Sequence, residues 1–389
     1  MCDKPKILII YAKYGEGHYQ VARTMKDRLE HTGQFEVSML DVFAMAHPLW
    51  NAWTRWAFHQ GSIYCPKLYG WIYHYTNRID AEGRLNRWIR LMGMERIKAI
   101  VLQENPDLVL HTFPFLAAAE MDAVVMGEWA SMTIVTDYVM HKRWLHPNTD
   151  RYFVASEEMK AWMLAQGVPA HRINVSGIPI RASFLRKVSA AKVYRKYGLK
   201  EDKPIILMMA GANGVFTKVS EDIHHLVAHH SGEIVIVCGH NNSLYHSLRK
   251  QFKHTAQVHV VGFVESIEEL MAVSSCLVTK AGGITLAEAR AMGLPVIVYR
   301  PLPGQEQGNA DYWHSRGFVR IIKDRTGLHE AVQQAISWKA NKREDFAQER
   351  RSEELHAADI VVQEISQFMT TFARKTVSPM ISSRLLVDN

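Results

Sequence analysis

The stretch Lys6-Ile7-Leu8-Ile9-Ile10-Tyr11-Ala12-Lys13-Tyr14-Gly15-Glu16-Gly17-His18 decides the fold. It begins as a short, β-branched apolar run, the pattern of a strand buried on both faces. It continues as a glycine-containing loop that opens a helical pattern over 18–32. A strand at 35–41 follows, with further strand candidates at 107–111, 131–135 and 151–155 and a helix near 157–167. Pro179 after Gly177 breaks regular structure, so 176–186 reads as a linker. After a helix near 190–198 the alternation restarts in the runs Ile205–Ala210, Glu233–Cys238, Val258–Val261, Cys276–Thr279 and Val296–Tyr299. Strands separated by helices predict parallel sheets covered on both faces. Two such series predict an α/β chain of two facing Rossmann-like domains, at 1–178 and 179–375, with a flexible tail over 376–389. Residues 342–373 read as a long charged helix.

The bulk properties agree. A chain of 389 residues fits two domains. Its net charge of +7 suits an anionic partner without choosing one. The four cysteines, Cys2, Cys65, Cys238 and Cys276, form no C-x-x-C pair, which points away from a zinc site or a redox dithiol. The N-terminal apolar run is too short for a signal peptide. No run of about 18 apolar residues predicts a membrane span. The expected location is therefore cytoplasmic, or peripheral to a membrane.

In doubly wound sheets, ligands bind beyond the carboxyl ends of the strands, so the loops that leave strands carry the information. In the first loop, Gly17 lets the backbone turn tightly and His18 sits at a helix start. That position disfavours the protonated imidazole and leaves a ring able to accept a proton. A dinucleotide fingerprint with Asp41 as the ribose acid is the rival, but Gln20 stands where the third glycine belongs. In the second half, Thr279-Lys280-Ala281-Gly282-Gly283-Ile284-Thr285-Leu286-Ala287-Glu288 leaves a strand and opens a helix. Gly282 and Gly283 let a pyrophosphate approach free N–H groups. Thr285 and Glu288 have capping-box spacing, so the segment reads either as a capped helix or as a phosphate loop with Glu288 on ribose hydroxyls. The loop Arg300–Asn309 presents Gln305, Glu306 and Asn309, groups that suit sugar hydroxyls or a polar helix start. Gly211 and Asn213 form another flexible loop, and Phe263 offers either a wall for a flat base or a core side chain.

Residues 48–100 break the alternation. They hold ten aromatics, five of them Trp, and eight Lys/Arg against three Asp/Glu. Trp50, Trp53 and Trp56, with Arg55 among them, recur along one side of a helix. This pattern fits either a membrane interface or an aromatic core helix with a solvated basic face.

Taken in order, several motifs resemble one family. They are Tyr14-Gly15-x-Gly17-His18, His111-Thr112-Phe113-Pro114, Val135-Thr136-Asp137, Gly177-Ile178-Pro179-Ile180-Arg181, Met209-Ala210-Gly211-Ala212, Gly282-Gly283-Ile284-Thr285-Leu286-x-Glu288-Ala289 and Pro303-Gly304-Gln305-Glu306-x-x-Asn309. The family includes plant monogalactosyldiacylglycerol synthases, Bacillus-type processive diacylglycerol glucosyltransferases and, more remotely, the MurG transferase. Ala281 departs from the proline that close relatives often carry there. The resemblance implies a GT-B fold with the nucleotide-sugar on the second domain. It implies a UDP-sugar donor, first of all UDP-glucose, and diacylglycerol or glycosyl-diacylglycerol as acceptor at an anionic membrane surface. It assigns donor contacts to Gly282, Gly283, Ile284, Thr285, Glu288, Gln305 and Glu306. His18 is the expected base, with Asp137 either as base or as the group that orients it. Trp144 and His146 are expected to touch the acceptor. No metal and no nucleic acid are expected. Three alternatives stay open: UDP-galactose or UDP-N-acetylglucosamine as donor, another lipid-linked acceptor, and a non-catalytic UDP-sugar-responsive protein.

Overall fold

The computed structural model describes residues 4–13, 16–42, 44, 70, 75, 94–114, 129–210, 218–341 and 356–384. Trp50, Trp53, Arg55, Trp56, Gly211 and Asn213 lie outside them.

The first half contains β1 (Lys6–Tyr11), α1 (Glu16–His31), β2 (Glu36–Asp41), α2 (Met94–Glu104), β3 (Leu108–His111), β4 (Ala130–Ile134), β5 (Arg151–Val154), α3 (Glu157–Ala165) and β6 (Ile173–Val175). Its six strands form one sheet in the order β2-β1-β3-β4-β5-β6, every pair parallel. The second half contains α4 (Ala190–Tyr197), β7 (Ile205–Met209), α5 (Val219–His229), β8 (Glu233–Val237), α6 (Asn242–Gln251), β9 (Val258–Val261), α7 (Ile267–Val273), β10 (Cys276–Thr279), α8 (Gly283–Ala291), β11 (Val296–Tyr299), α9 (Gln305–His314), β12 (Val319–Ile322) and α10 (Arg325–Asn341). Its sheet runs β12-β11-β10-β7-β8-β9, again all parallel.

The apolar runs form strands because both faces are covered. Ile7, Leu8, Ile9 and Ile10 are all buried, odd residues against α1 and even residues against α2. Each such side chain contributes about 1.5–3 kcal/mol on burial. Strand order reverses between β1 and β3 in one sheet and between β7 and β10 in the other. These are the crevices where doubly wound folds bind ligands. The loop carrying His18 leaves β1, and the double-glycine loop leaves β10.

The edge strands β6 and β12 do not stand out in the sequence. They are short, and β12 carries the exposed Arg320. Of the expected charged helix over 342–373, the described part is helical, and 342–355 lie outside the described residues; α11 spans Ala357–Arg384, reaching into the stretch expected to be a flexible tail. It also returns to the first half. Ala357, Ala358, Val361, Ile365 and Met369 are buried. Arg28 pairs with Asp359 at 2.5 Å and Arg151 with Glu364 at 2.9 Å. This helix, late in the sequence, thus packs against α1 of the first half. No described helix is long and apolar enough to cross a membrane.

Candidate active site

His18 lies in the first turn of α1, half-buried at the carboxyl end of the first sheet. Its Nδ1 is 2.7 Å from the Thr112 carbonyl oxygen and 3.0 Å from the Thr136 hydroxyl. The Thr112 hydroxyl donates to the His18 carbonyl at 3.1 Å, so the loops after β1 and β3 are tied together. Phe113 meets the imidazole edge-on at 5.0 Å between centroids, and Trp144 stands at 6.4 Å. Burial pushes the His18 pKa down, against the opposing pull of the Asp137 charge and the Thr112 hydrogen bond. Burial thus disfavours the protonated ring.

The segment after β4 joins the two halves. Asp137 Oδ1 accepts from Gln305 Nε2 at 2.6 Å and from Asn309 Nδ2 at 3.0 Å, both on α9. Asn309 also accepts from the Tyr138 amide at 2.8 Å and donates to the Ala281 carbonyl at 3.1 Å. Tyr138 stacks on Tyr312, centroids 5.1 Å apart. Burial pushes the Asp137 pKa up, and the bonds from Asn309 and Gln305 and the nearby His18 only partly offset it.

Close approach explains the glycines. A Cβ on Gly283 would lie 2.3 Å from the Thr136 carbonyl oxygen, and one on Gly17 would lie 2.7 Å from Ile284 Cδ1. The helix start of α8 is pressed against the base side of the cleft. The capping-box reading of Thr285 and Glu288 is corrected here. The N-cap is Gly282 and makes no side-chain cap, so Thr285 already lies inside the helix. With Gly282 as N-cap, the helix begins at Gly283.

Glu288 is buried on α8, and its carboxyl is pushed up to about 7 by burial, with Arg181 lowering and Glu268 raising it. Glu306 accepts from the Leu302 amide at 3.0 Å and pairs with Lys280 at 3.4 Å, clamping the loops after β10 and β11. Gly304, at φ 100°, turns that loop into α9. Phe263 is exposed and stacks on His240 at 4.2 Å. It lines a groove of about 470 Å³ with Tyr197 and Tyr245. Trp144 is buried, in a cluster with Val135 and Tyr152 that backs His18. The His146 backbone is held by the Tyr152 hydroxyl on both sides, and its Nδ1 accepts from the Asn148 amide at 3.2 Å.

His18, Asp137, Gly17, Gly283, Ile284, Gln305 and Asn309 thus converge, while Glu306 and Phe263 make their contacts within the second half, to Lys280 and His240. Sequence reasoning did not single out Thr112, Thr136 or Lys280 as site residues. The first two stand inside quoted motifs, but nothing in the sequence says which hydroxyl meets the imidazole. Among the described residues, no group of three or more His, Cys, Asp or Glu is placed to hold a metal ion.

Two parallel six-stranded sheets, with a histidine at the end of one and a glycine-opened helix start at the end of the other, place the chain in the GT-B fold class. Solved structures share the fold. A UDP-GlcNAc 2-epimerase from Neisseria meningitidis covers 93% of this chain with all of its own length, at TM-score 0.61 and 14% identity. The calicheamicin glycosyltransferase CalG4 covers 95% of this chain with all of its own length, at TM-score 0.60 and 12% identity. Residues 18–180 match the monogalactosyldiacylglycerol synthase family, and 206–364 match the C-terminal domain of glycosyltransferase family 28. The processive diacylglycerol β-glucosyltransferase of Bacillus mycoides is 38% identical over 325 residues, 83% of this chain and 84% of that protein. Its Bacillus cytotoxicus counterpart is 37% identical over 331 residues, 85% of each. The chain belongs to this family of diacylglycerol glycosyltransferases.

Proposed function

We propose that the chain transfers glucose from UDP-glucose to the hydroxyl of 1,2-diacylglycerol, and again to the glucosylated product. The observation that carries the reading is the Thr136–Tyr138 segment. It touches His18 on one side and the donor-side residues Gln305, Asn309 and Gly283 on the other. The β linkage in the relatives' name, formed from an α-linked donor, requires inversion and so a single displacement. His18 takes the hydroxyl proton as the oxygen attacks the anomeric carbon, a step worth typically 10²–10⁴-fold. UDP departs toward the start of α8, where free N–H groups and the helix dipole stabilise its growing charge. Glu288, Gln305 and Glu306 hold ribose and sugar hydroxyls, Asn309 holds Asp137 in place from within the protein, and Phe263 lies beside the base. The Asp137 charge raises the proton affinity of His18.

The aromatic and basic residues of 48–100, Trp50, Trp53, Arg55 and Trp56 among them, support a membrane-facing acceptor side. With the predicted absence of a membrane span, this gives a protein bound peripherally at the inner face of the membrane.

The test is an incubation with anionic vesicles containing diacylglycerol and, separately, UDP-glucose, UDP-galactose and UDP-N-acetylglucosamine, with a metal chelator present. Mass spectrometry should find glucosyl- and then diglucosyl-diacylglycerol. Product from another donor revises the sugar. UDP binding without any glycolipid product points to a different acceptor or to a binding protein.

A further inference from the structure

We infer that Thr136 is a positioning residue: its hydroxyl shares the Nδ1 hydrogen that the Thr112 carbonyl oxygen fixes on His18, which holds the ring with Nε2 as the atom that takes the acceptor's proton. This rests on the transferase reading above and deepens it. The Thr112 carbonyl oxygen, 2.7 Å from Nδ1, can only accept, so Nδ1 carries a hydrogen. The Thr136 hydroxyl lies 3.0 Å from the same nitrogen. If it donated there, the Nδ1 lone pair would have to face the carbonyl lone pairs at 2.7 Å. The hydroxyl therefore accepts, and one N–H is shared by two oxygens. A neutral imidazole has a single N–H, so Nε2 keeps its lone pair. Both threonines are buried, Thr112 at 0% and Thr136 at 2% exposure, so water does not compete for these bonds.

The consequence appears in the transition state. The acceptor's proton moves to Nε2, its oxygen electron pair forms the new bond to the anomeric carbon, and the bond to UDP breaks with its electrons on the departing phosphate. His18 is then a cation, and its Nδ1–H binds both oxygens more strongly than the neutral ring does. Thr136 therefore acts more on the transition state than on the bound ground state. Its carbonyl oxygen also packs directly against Gly283 of the second half. The residue that aims the base is thus the point at which the donor side docks.

The experiment compares wild type, Thr136→Val, Thr136→Ser and His18→Gln in the vesicle assay across pH. Calorimetric UDP binding checks that each variant is folded. Thr136→Val should lower kcat about tenfold, the loss of one hydrogen bond to a charged group. KM for UDP-glucose should stay within about twofold, since uniform binding is untouched. The acidic limb of kcat should move to lower pH, because the ring cation has lost an acceptor. Thr136→Ser should restore both. In ¹⁵N-histidine spectra of the full chain, the signal missing from His18→Gln should report a protonated Nδ1 and a bare Nε2. A wild-type kcat and limb in Thr136→Val, a loss that Ser does not rescue, or a protonated Nε2 overturns the proposal. Normal turnover in His18→Gln removes the base itself. An inactive His18→Gln beside an unaltered Thr136→Val removes only the positioning role.

Discussion

Asp137 and Asp222 are both almost fully buried carboxylates, at 4% and 1% exposure, and their surroundings are opposite. Asp222, on α5, accepts from the Tyr299 hydroxyl at 3.0 Å and from Arg325 Nε at 3.0 Å, and pairs with Arg300 at 3.3 Å. It pins the end of β11 to two helices. Arg300 there sits at φ 51°, a conformation non-glycine residues rarely adopt, and the Asp222 pair helps hold it. Among the described residues, Asp137 has no guanidinium among its hydrogen-bond donors and accepts from the amides of Gln305 and Asn309. One carboxylate is neutralised and holds a fold together. The other is held in place by dipoles, which leaves its charge felt by His18. A buried charge left without a cation marks function more than scaffolding.

Removing the neutralised carboxylate should have the largest effect. Asp222→Ala leaves two guanidiniums without a partner and should lower stability by about 3 kcal/mol. That is the low end of the range for breaking a buried ion pair, because both arginine side chains are about a third exposed. Denaturant unfolding measures it, and an unchanged midpoint would mean the pairs contribute nothing, ending the contrast.

Asp137→Asn should do the reverse. Turnover should fall about a hundredfold as the charge beside His18 disappears. Stability at neutral pH should hold or rise. The sign follows from the raised pKa: the native state prefers the protonated carboxyl, so keeping it charged costs stability once pH passes the unfolded value. The variant's stability relative to wild type should therefore improve between pH 4 and pH 8. A loss of stability at pH 8 would place Asp137 with Asp222 as scaffold.

The smallest effect is expected at Glu288. With its carboxyl near 7, it is largely protonated at pH 6 and ionised at pH 8. Hydroxyl donors bind the ionised form better, so UDP-glucose affinity should rise by up to about tenfold across that interval. Glu288→Gln should flatten the profile, and calorimetry at the two pH values decides it.

Much of this was legible in the chain. The runs at Ile7–Ile10 and Glu233–Val237 predict strands because parallel strands buried on both faces must be apolar throughout. The glycine loops before His18 and at Gly282-Gly283 were legible because tight turns and close approaches require glycine. The reading failed where a local signal met a tertiary neighbour. Thr285 and Glu288 have the spacing of a cap, yet packing of Gly283 against Thr136 lets the helix start earlier. Burial of the Trp144 ring beside His18 was likewise not legible from its place on a loop.

By itself, the sequence determined two parallel-sheet halves, the glycine loops that leave their strands and the family of the chain. These follow from periodicity and local backbone demands, which act over a few residues. Only the tertiary structure decided that Thr136 and Thr112 share one nitrogen of His18, that Asp137 is held by amides from the other half, and that α11 returns to the first sheet. Those partners lie 94, 118 and 168 positions apart in the chain, in the Thr112–His18, Thr136–His18 and Gln305–Asp137 bonds respectively. No local pattern records which side chains the packing of two separate sheets brings face to face.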